Sequence, residues 1–358
     1  VVVLRSHRTN RSIGAIGVVL AILVAACASG ASPSASTAAQ ASASPAVGCG
    51  PAPSGLTPLT VGLGYIPSVQ FAPFYYAQAA CYYQQAGLAV TFQNKIETDL
   101  VLLVGQGSID IGVADGTDVI PAVSQGIPVK YIATIYGTYP SIVFAKASSG
   151  ITTPADLHGK KIGIPGRYGS SWVMLQALLA AGGLTPDDVT IQEYPDFGQG
   201  VAVQQGAVDA ATGFANNEPV QLELAGTKAV VLHVDDKVAL PGPGLIAGTA
   251  TIAAKRDAIA AFVGATIRAM NEIKATPAKG LDAAIATVPE LATNRDVQTA
   301  ILAATIATWP GPASVAGGLG AINRAGWTAS IDYMTRLGLV PKPVTVDQVV
   351  RTDLLPAT

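Results

Sequence analysis

Residues able to do chemistry fall in four short turns of this 358-residue chain: Tyr65-Ile66-Pro67, Asp115-Gly116, the stretch 167–171, and Asn216-Asn217-Glu218. Asp115 and Glu218 could be paired carboxylates for acid–base work. A simpler reading has them accept hydrogen bonds from a ligand's N–H groups, and the plainest makes them solvated loop residues. A carboxylate enclosed without a donor is costly or becomes protonated, so either acid, if enclosed, should meet ligand donors. Other chemistry has little to stand on. No GxSxG, HExxH, P-loop or GxGxxG pattern occurs in the context it would need. Beyond the N-terminal segment the only histidines are His158, in a turn, and His233, in an apolar strand. Both read as structural. Without a CxxC pair or a His beside Cys49 or Cys81, no metal, cofactor or catalytic role is expected.

The elements that must hold these turns repeat. The β-branched run from Leu59 ends in Gly64-Tyr-Ile-Pro67 and a helical stretch follows to Gly87; Lys160-Lys-Ile-Gly-Ile-Pro165 leads in the same way into a helical run from Trp172 to Ala181, stopped by Gly182-Gly183. Gly107-Ser-Ile-Asp110 precedes Asp115, and Gly206-Ala-Val-Asp209 precedes Asn216. Two motif pairs at nearly equal offset indicate a structural duplication. Alternating strands and helices imply mostly parallel sheets, whose ligands bind at the carboxyl ends of strands. All four turns follow expected strands and would line one cleft between two lobes. From Thr249 onward Ile259, Phe262, Val263, Ile267, Met270 and Ile273 recur at the helical period up to Pro277, and a later helix runs from near Trp327 to Gly338.

Composition bounds the partners. Half of the chain is hydrophobic, 12% is charged, and the formal charge is −2, so disorder and nucleic-acid binding are not expected. The length favours two lobes over one core. No charge occurs between Arg11 and Lys95. Tyr65, Gln70, Phe71, Phe74, Tyr75 and Tyr76 therefore offer an aromatic, neutral surface suited to a flat, uncharged molecule, with core packing the competing reading for Phe74, Tyr75, Tyr76 and Trp172. At the start, Arg5, Arg8 and Arg11 precede the apolar run 13–26, too short to span a bilayer. Leu23-Val-Ala-Ala-Cys27 is similar to a bacterial lipobox, which makes 1–26 a signal peptide, Cys27 the lipidated mature terminus, and 27–56, rich in Ala, Ser, Pro and Gly, a tether. Cys49 and Cys81 are then an even pair; a disulfide and a buried free Cys81 are both open.

The strings Gly64-Tyr-Ile-Pro-Ser-Val-Gln-Phe-Ala-Pro-Phe-Tyr-Tyr-Ala77, Tyr82-Tyr-Gln-Gln-Ala-Gly-Leu88, Gly126-Ile-Pro-Val-Lys-Tyr131, Asp156-Leu-His-Gly-Lys-Lys-Ile-Gly-Ile-Pro165 and Asn217-Glu-Pro219 resemble, in order, substrate-binding proteins of bacterial ABC importers. The branch is that of the thiamine-pyrimidine-synthesis-like and sulfonate- or nitrate-binding proteins, and the riboflavin-associated subgroup is the most similar. The resemblance implies an α/β, two-lobed periplasmic-binding-protein type II fold, with lobe 1 at 57–147 and 247–358, lobe 2 at 148–246, and hinge strands near 141–147 and 245–250. It also implies a monomer that passes its ligand to a membrane permease driven by an ATPase, outside the cytoplasmic membrane and anchored through Cys27.

The expected ligand is a planar heteroaromatic vitamin or precursor. Riboflavin comes first and the thiamine pyrimidine precursor is the alternative; an anion is a lesser one, because Arg167 is the only basic residue in the cleft segments. Tyr65, Gln70, Phe71, Phe74 and Tyr139 are candidate contacts from one side, with Tyr168, Ser170, Ser171 and Trp172 from the other. Asp115, Asn217 and Glu218 would fix the polar edge. An enzyme would need a constellation that is missing here, and a signalling or adhesion lipoprotein would need no small-molecule cleft.

Overall fold

The computed structural model describes residues 49–51, 53–94, 99–234 and 240–356, all within one compact unit. The segments expected to be the signal peptide (1–26), the lipidated Cys27 and the tether as far as 48 lie outside the described residues.

The chain first forms β1 (Thr57–Gly62), α1 (Ala72–Ala79), α2 (Tyr82–Gln85), β2 (Leu88–Gln93), α3 (Leu100–Gly105), β3 (Ile111–Asp115), α4 (Gly116–Ser124) and β4 (Val129–Thr134). It then forms β5 (Ser141–Lys146), β6 (Lys161–Ile164), α5 (Gly169–Ala181), β7 (Thr190–Glu193), α6 (Gln199–Gln205), β8 (Ala210–Phe214), α7 (Glu218–Leu224) and β9 (Ala229–His233). The return strand β10 (Pro243–Gly248) precedes α8 (Thr249–Ala275), α9 (Pro277–Thr287), α10 (Arg295–Thr308), α11 (Ser314–Gly317), α12 (Arg324–Arg336) and α13 (Val346–Val349).

Two five-stranded sheets result, in the orders β2-β1-β3-β10-β4 and β7-β6-β8-β5-β9. In each, three strands pair in parallel through helical crossovers, β1 with β2 and β3 in one and β6 with β7 and β8 in the other, and one antiparallel strand, β10 or β5, separates them from the edge strand β4 or β9. The antiparallel strands β5 and β10 follow the two crossings between lobes. β5 pairs with β8 and β9, so the second sheet starts at Ser141, ahead of the boundary expected at 147, and β10 rejoins the first sheet at Pro243 rather than 247. Both strands are buried along nearly their whole length, so their apolar runs carry no mark of which sheet they join.

The duplication expected from sequence has a physical basis in the two aspartates. Asp110 Oδ2 accepts from Thr60 N at 2.9 Å while its own N–H donates to Thr60 O; Asp209 Oδ2 accepts from Lys161 N at 2.8 Å while its N–H donates to Lys161 O. Each Asp clips the amino end of the later strand to its parallel neighbour, which fixes the register of the two strands.

The first lobe is packed by α8, on which Ile259, Phe262, Val263, Ile267, Met270 and Ile273 are all buried at the spacing read from sequence. Phe262 stacks on Tyr83 with ring centroids 4.8 Å apart, and full burial of such a side chain stabilises by about 1.5–3 kcal/mol. Cys49 and Cys81 are joined as a disulfide with Cα atoms 5.5 Å apart, tying the start of the described chain to α2.

Candidate functional site

The carboxyl ends of β1, β3, β6 and β8 converge on one cavity of about 760 Å³, within the usual size range of small-molecule sites. Its lining comes from both lobes and is mostly apolar. Tyr65, Gln70, Phe71 and Phe74 come from the turn after β1 and the start of α1, and Asp115, Thr117 and Asp118 from the junction of β3 with α4. Tyr168, Ser170, Ser171 and Trp172 open α5, Phe197 and Gln199 lead into α6, and Asn217 and Glu218 open α7.

Three aromatic residues expected near the cleft stand elsewhere. Tyr139 does not line this cavity: it is buried behind the wall, where its hydroxyl donates to Ser170 O at 3.2 Å and so braces the first turn of α5. Tyr75 is core, packed edge-on against Phe92 with its hydroxyl donating to Asn94, and Tyr76 reaches out to Glu272. On a helix whose neighbours are nearly all apolar, periodicity does not separate the cleft-facing rings from the others. Phe71 and Phe74 do both jobs, lining the cavity while packed in the core of the first lobe. Arg167 is turned outward, paired with Glu193 at 3.5 Å and resting over the Trp172 ring.

Among the contacts between the lobes, two lie beside the aromatic lining. Tyr65 meets Phe197 edge to face at 5.0 Å, an arrangement worth about 0.5–1.5 kcal/mol beyond area burial. Phe197 holds φ at +60°, a left-handed conformation that costs a residue with a Cβ about 1–2 kcal/mol. Sequence reasoning missed Phe197, which sits in no motif, and its backbone is the one sign that it is held there for a purpose. The second contact is Asn216, only 1% exposed, whose Nδ2 donates to Gln70 Oε1 and to Thr305 Oγ1, both at 2.9 Å. Its neighbour Asn217 accepts from Gln221 within α7.

The polar groups are acidic or neutral. Among the described residues, the lining holds Asp99, Asp115, Asp118 and Glu218 and no Lys, Arg or His. Glu218 begins α7 and accepts from Phe214 N at 2.8 Å, so part of its carboxylate closes the turn behind it. Burial pushes its pKa up against those hydrogen bonds, and its charge together with burial raises Tyr65. Asp115 stands at the N-cap of α4 yet makes no capping bond; it is 8% exposed, and Oδ1 has no partner in the protein. Burial first, and the nearby Asp118 second, raise its pKa well above the carboxylate range, with the Ser170 hydroxyl opposing. Asp118, one helical turn on, is pushed up to about 7 by burial. Gln199 Oε1 is a second enclosed acceptor without a protein partner. Among the described residues no group of three or more His, Cys, Asp or Glu could hold a metal.

An aromatic-lined cavity between two lobes, at the carboxyl ends of duplicated parallel strands, defines the class: a periplasmic-binding-protein fold. Solved structures agree. The alkanesulfonate-binding protein SsuA from Xanthomonas axonopodis pv. citri superposes with a TM-score of 0.65 at 20% identity, over 82% of this chain and 98% of that one. The aliphatic sulphonate-binding SsuA from Escherichia coli gives 0.63 at 18% identity, over 84% and 94%. The chain belongs to the NMT1/THI5-like family, which matches residues 68–280. It is 34% identical over 319 residues to the riboflavin-binding protein RibY of Chloroflexus aurantiacus, covering 88% of this chain and 90% of RibY. It is also 26% identical over 185 residues to 4-amino-5-hydroxymethyl-2-methylpyrimidine phosphate synthase of Legionella pneumophila, covering 51% and 57%.

Proposed function

We propose that this protein is the substrate-binding component of an ABC-type importer, that it works outside the cytoplasmic membrane anchored through Cys27, and that its ligand is riboflavin. The observation that carries the reading is the cavity: aromatic rings from both lobes flank a space lined also by Asp115 and Gln199, whose buried Oδ1 and Oε1 have no donors in the protein. A flat heteroaromatic ring with N–H groups supplies both the stacking surface and the donors. The similarity to RibY over nine-tenths of its length favours a flavin over a pyrimidine.

Sulfonate or nitrate fits poorly, because four carboxylates and no cation among the described lining residues repel an anion. The ligand enters between the lobes, meets Tyr65, Phe71 and Phe74 on one side and the Tyr168 to Trp172 turn on the other, and draws the lobes together by its greater affinity for the state in which both touch it. The first turn of α5 adds backbone N–H groups that no side chain caps. The chain captures its ligand and leaves it unchanged, handing it to a permease and ATPase.

Protein starting after Cys27, titrated with riboflavin, tests this. Quenched flavin fluorescence, a raised melting temperature and recovery of unaltered flavin are expected. A flat response in both signals removes riboflavin and turns the test to aminopyrimidines. Chemically altered flavin would move the protein to the enzymes.

A further inference from the structure

We propose that Asp115 and Asp118 form a proton-sharing carboxylic-acid pair that reads a ligand edge carrying an N–H donor beside a carbonyl or ring-nitrogen acceptor. The inference rests on the reading of the cavity as a heterocycle site and names the group that selects among heterocycles.

Asp115 is nine-tenths buried and lines the cavity, and its Oδ1 has no protein partner. An aspartate at a helix N-cap ordinarily accepts from the N–H two or three residues on. This one does not. Asp118 lies three residues further, on the same face of α4, and also lines the cavity. Across the cleft Asp118 Oδ1 lies in ordinary contact range of Gly169, the first residue of α5, whose φ of +65° favours glycine there.

Among the described residues that line the cavity, no cation answers the two acids. The groups that sense their charge are Tyr131 from β4 and Tyr136 and Tyr139 from the segment between β4 and β5, all hydroxyls raised by burial; Asp99 at the start of α3 is a further acid in the lining. Enclosed carboxylates side by side cannot both ionise cheaply, so one proton stays. Burial raises both, Asp118 to about 7 and Asp115 well above the carboxylate range with the Asp118 charge as its second cause, so the pair holds one proton between them. The pair then offers one O–H donor and one ionised acceptor. The imide edge of a flavin, N–H flanked by carbonyls, complements that arrangement, as does an aminopyrimidine edge. A fully ionised or fully protonated pair does not.

The sign follows from Asp118. As pH falls through about 7 it takes up a proton and stops being a strong acceptor, so affinity declines by up to tenfold per unit below neutrality.

The test has three parts on the soluble chain. Carbon-13 carboxyl NMR of the ligand-free protein, assigned with Asp115→Asn and Asp118→Asn, is expected to show one carboxyl still protonated well above the ordinary carboxylate range; two ordinary titrations overturn the pair. Riboflavin affinity is expected to fall at least tenfold when the ring imide is N-methylated, and equal affinity overturns the edge reading. Asp118→Asn is expected to weaken riboflavin at pH 8 and abolish the decline below pH 7; an unchanged slope overturns the role of Asp118. A parent protein that binds no flavin overturns the riboflavin assignment alone, and the NMR titration with an aminopyrimidine probe then decides the pair.

Discussion

Truncating Asn216 should loosen the lobes while leaving the Tyr65–Phe197 ring contact in place. In Asn216→Ala the donor to Gln70 Oε1 and Thr305 Oγ1 is lost, two hydrogen bonds of 2.9 Å in a side chain only 1% exposed. Neutral hydrogen bonds contribute about 1 kcal/mol each, and leaving Gln70 Oε1 buried without a donor costs about 1 more. The loss is therefore about 2–3 kcal/mol. It falls on the arrangement in which the second lobe's β8–α7 turn reaches the first lobe at Gln70 and α10. If that arrangement is the one the ligand selects, about 2 kcal/mol of it appears as a dissociation constant raised roughly 30-fold. Thr305→Val keeps the shape and removes one acceptor, so it should lose about half of that free energy. Riboflavin titration by calorimetry and melting of the ligand-free protein are the assays. Affinity within twofold of the parent, with the melting temperature depressed, would refute the link between this contact and closure; no change in either would refute the energetics.

Other consequences follow from the same coordinates. Reducing Cys49–Cys81, or replacing both by Ser, frees a loop of sequence separation 32 and should lower stability by about 4 kcal/mol, read as a drop in urea midpoint. Tyr65→Ala removes the edge contact with Phe197 and should weaken flavin binding by about 1 kcal/mol, or roughly fivefold, in a fluorescence titration. Gly213→Ala would set a Cβ 2.8 Å from Glu218 Oε2 and 2.9 Å from Phe144, displacing the carboxylate from Phe214 N; overpacking of this kind costs about 1–3 kcal/mol, measurable by denaturation. The pKa of Glu272 is held down to about 2 by hydrogen bonds from Tyr82, Lys279 and Tyr76. A depressed carboxylate contributes stability that is whole above its unfolded pKa and lost as pH falls from there through about 2. Glu272→Gln should therefore flatten the acid limb of the stability curve in that window and leave the neutral region less affected.

The cleft was legible because its turns follow strands. Tyr65, Asp115, Tyr168 and Glu218 come together since parallel crossovers put every such turn at one edge of its sheet, and short motifs at equal offsets reveal the crossovers. What the sequence hides is direction around an apolar helix. Phe74, Tyr75 and Tyr76 are consecutive, and only packing against Phe262, Phe92 and Glu272 decides which ring faces where. Tyr139 failed as a lining residue for a related reason: it lies in the crossing segment between sheets, where strand alternation gives no facing rule. Asn216 was hidden by its neighbours, because in Asn216-Asn217-Glu218 any of the three could point across the cleft. Asp118 looked like an ordinary acid in the first turn of a helix, a place where acids stabilise helices anyway.

The two halves have kept the same scaffold and parted at the ligand. Asp110 and Asp209 make matching clips to Thr60 and Lys161, so the third strand of each sheet is set by the same pair of hydrogen bonds. β3 then ends in Asp115 at the start of α4, and β8 is followed four residues on by Glu218 at the start of α7. In the first lobe Asp115 turns from its own helix and keeps Oδ1 unpartnered; in the second Glu218 bends back to Phe214 N and seals its own turn. One acid is therefore free for a ligand while the other is largely spent on structure. On the proposed function this divides the work. The first lobe reads the polar edge of the heterocycle, and the second supplies Phe197, Trp172 and the Asn216 contact that close over it. Exchanging the acids tests the division: Asp115→Asn should cost ligand affinity while sparing the stability of the free protein, because Asp115 Oδ1 bonds nothing in it, whereas Glu218→Gln should cost stability first. The reverse pattern, read from paired melting and titration curves, would place the polar edge of the ligand in the second lobe.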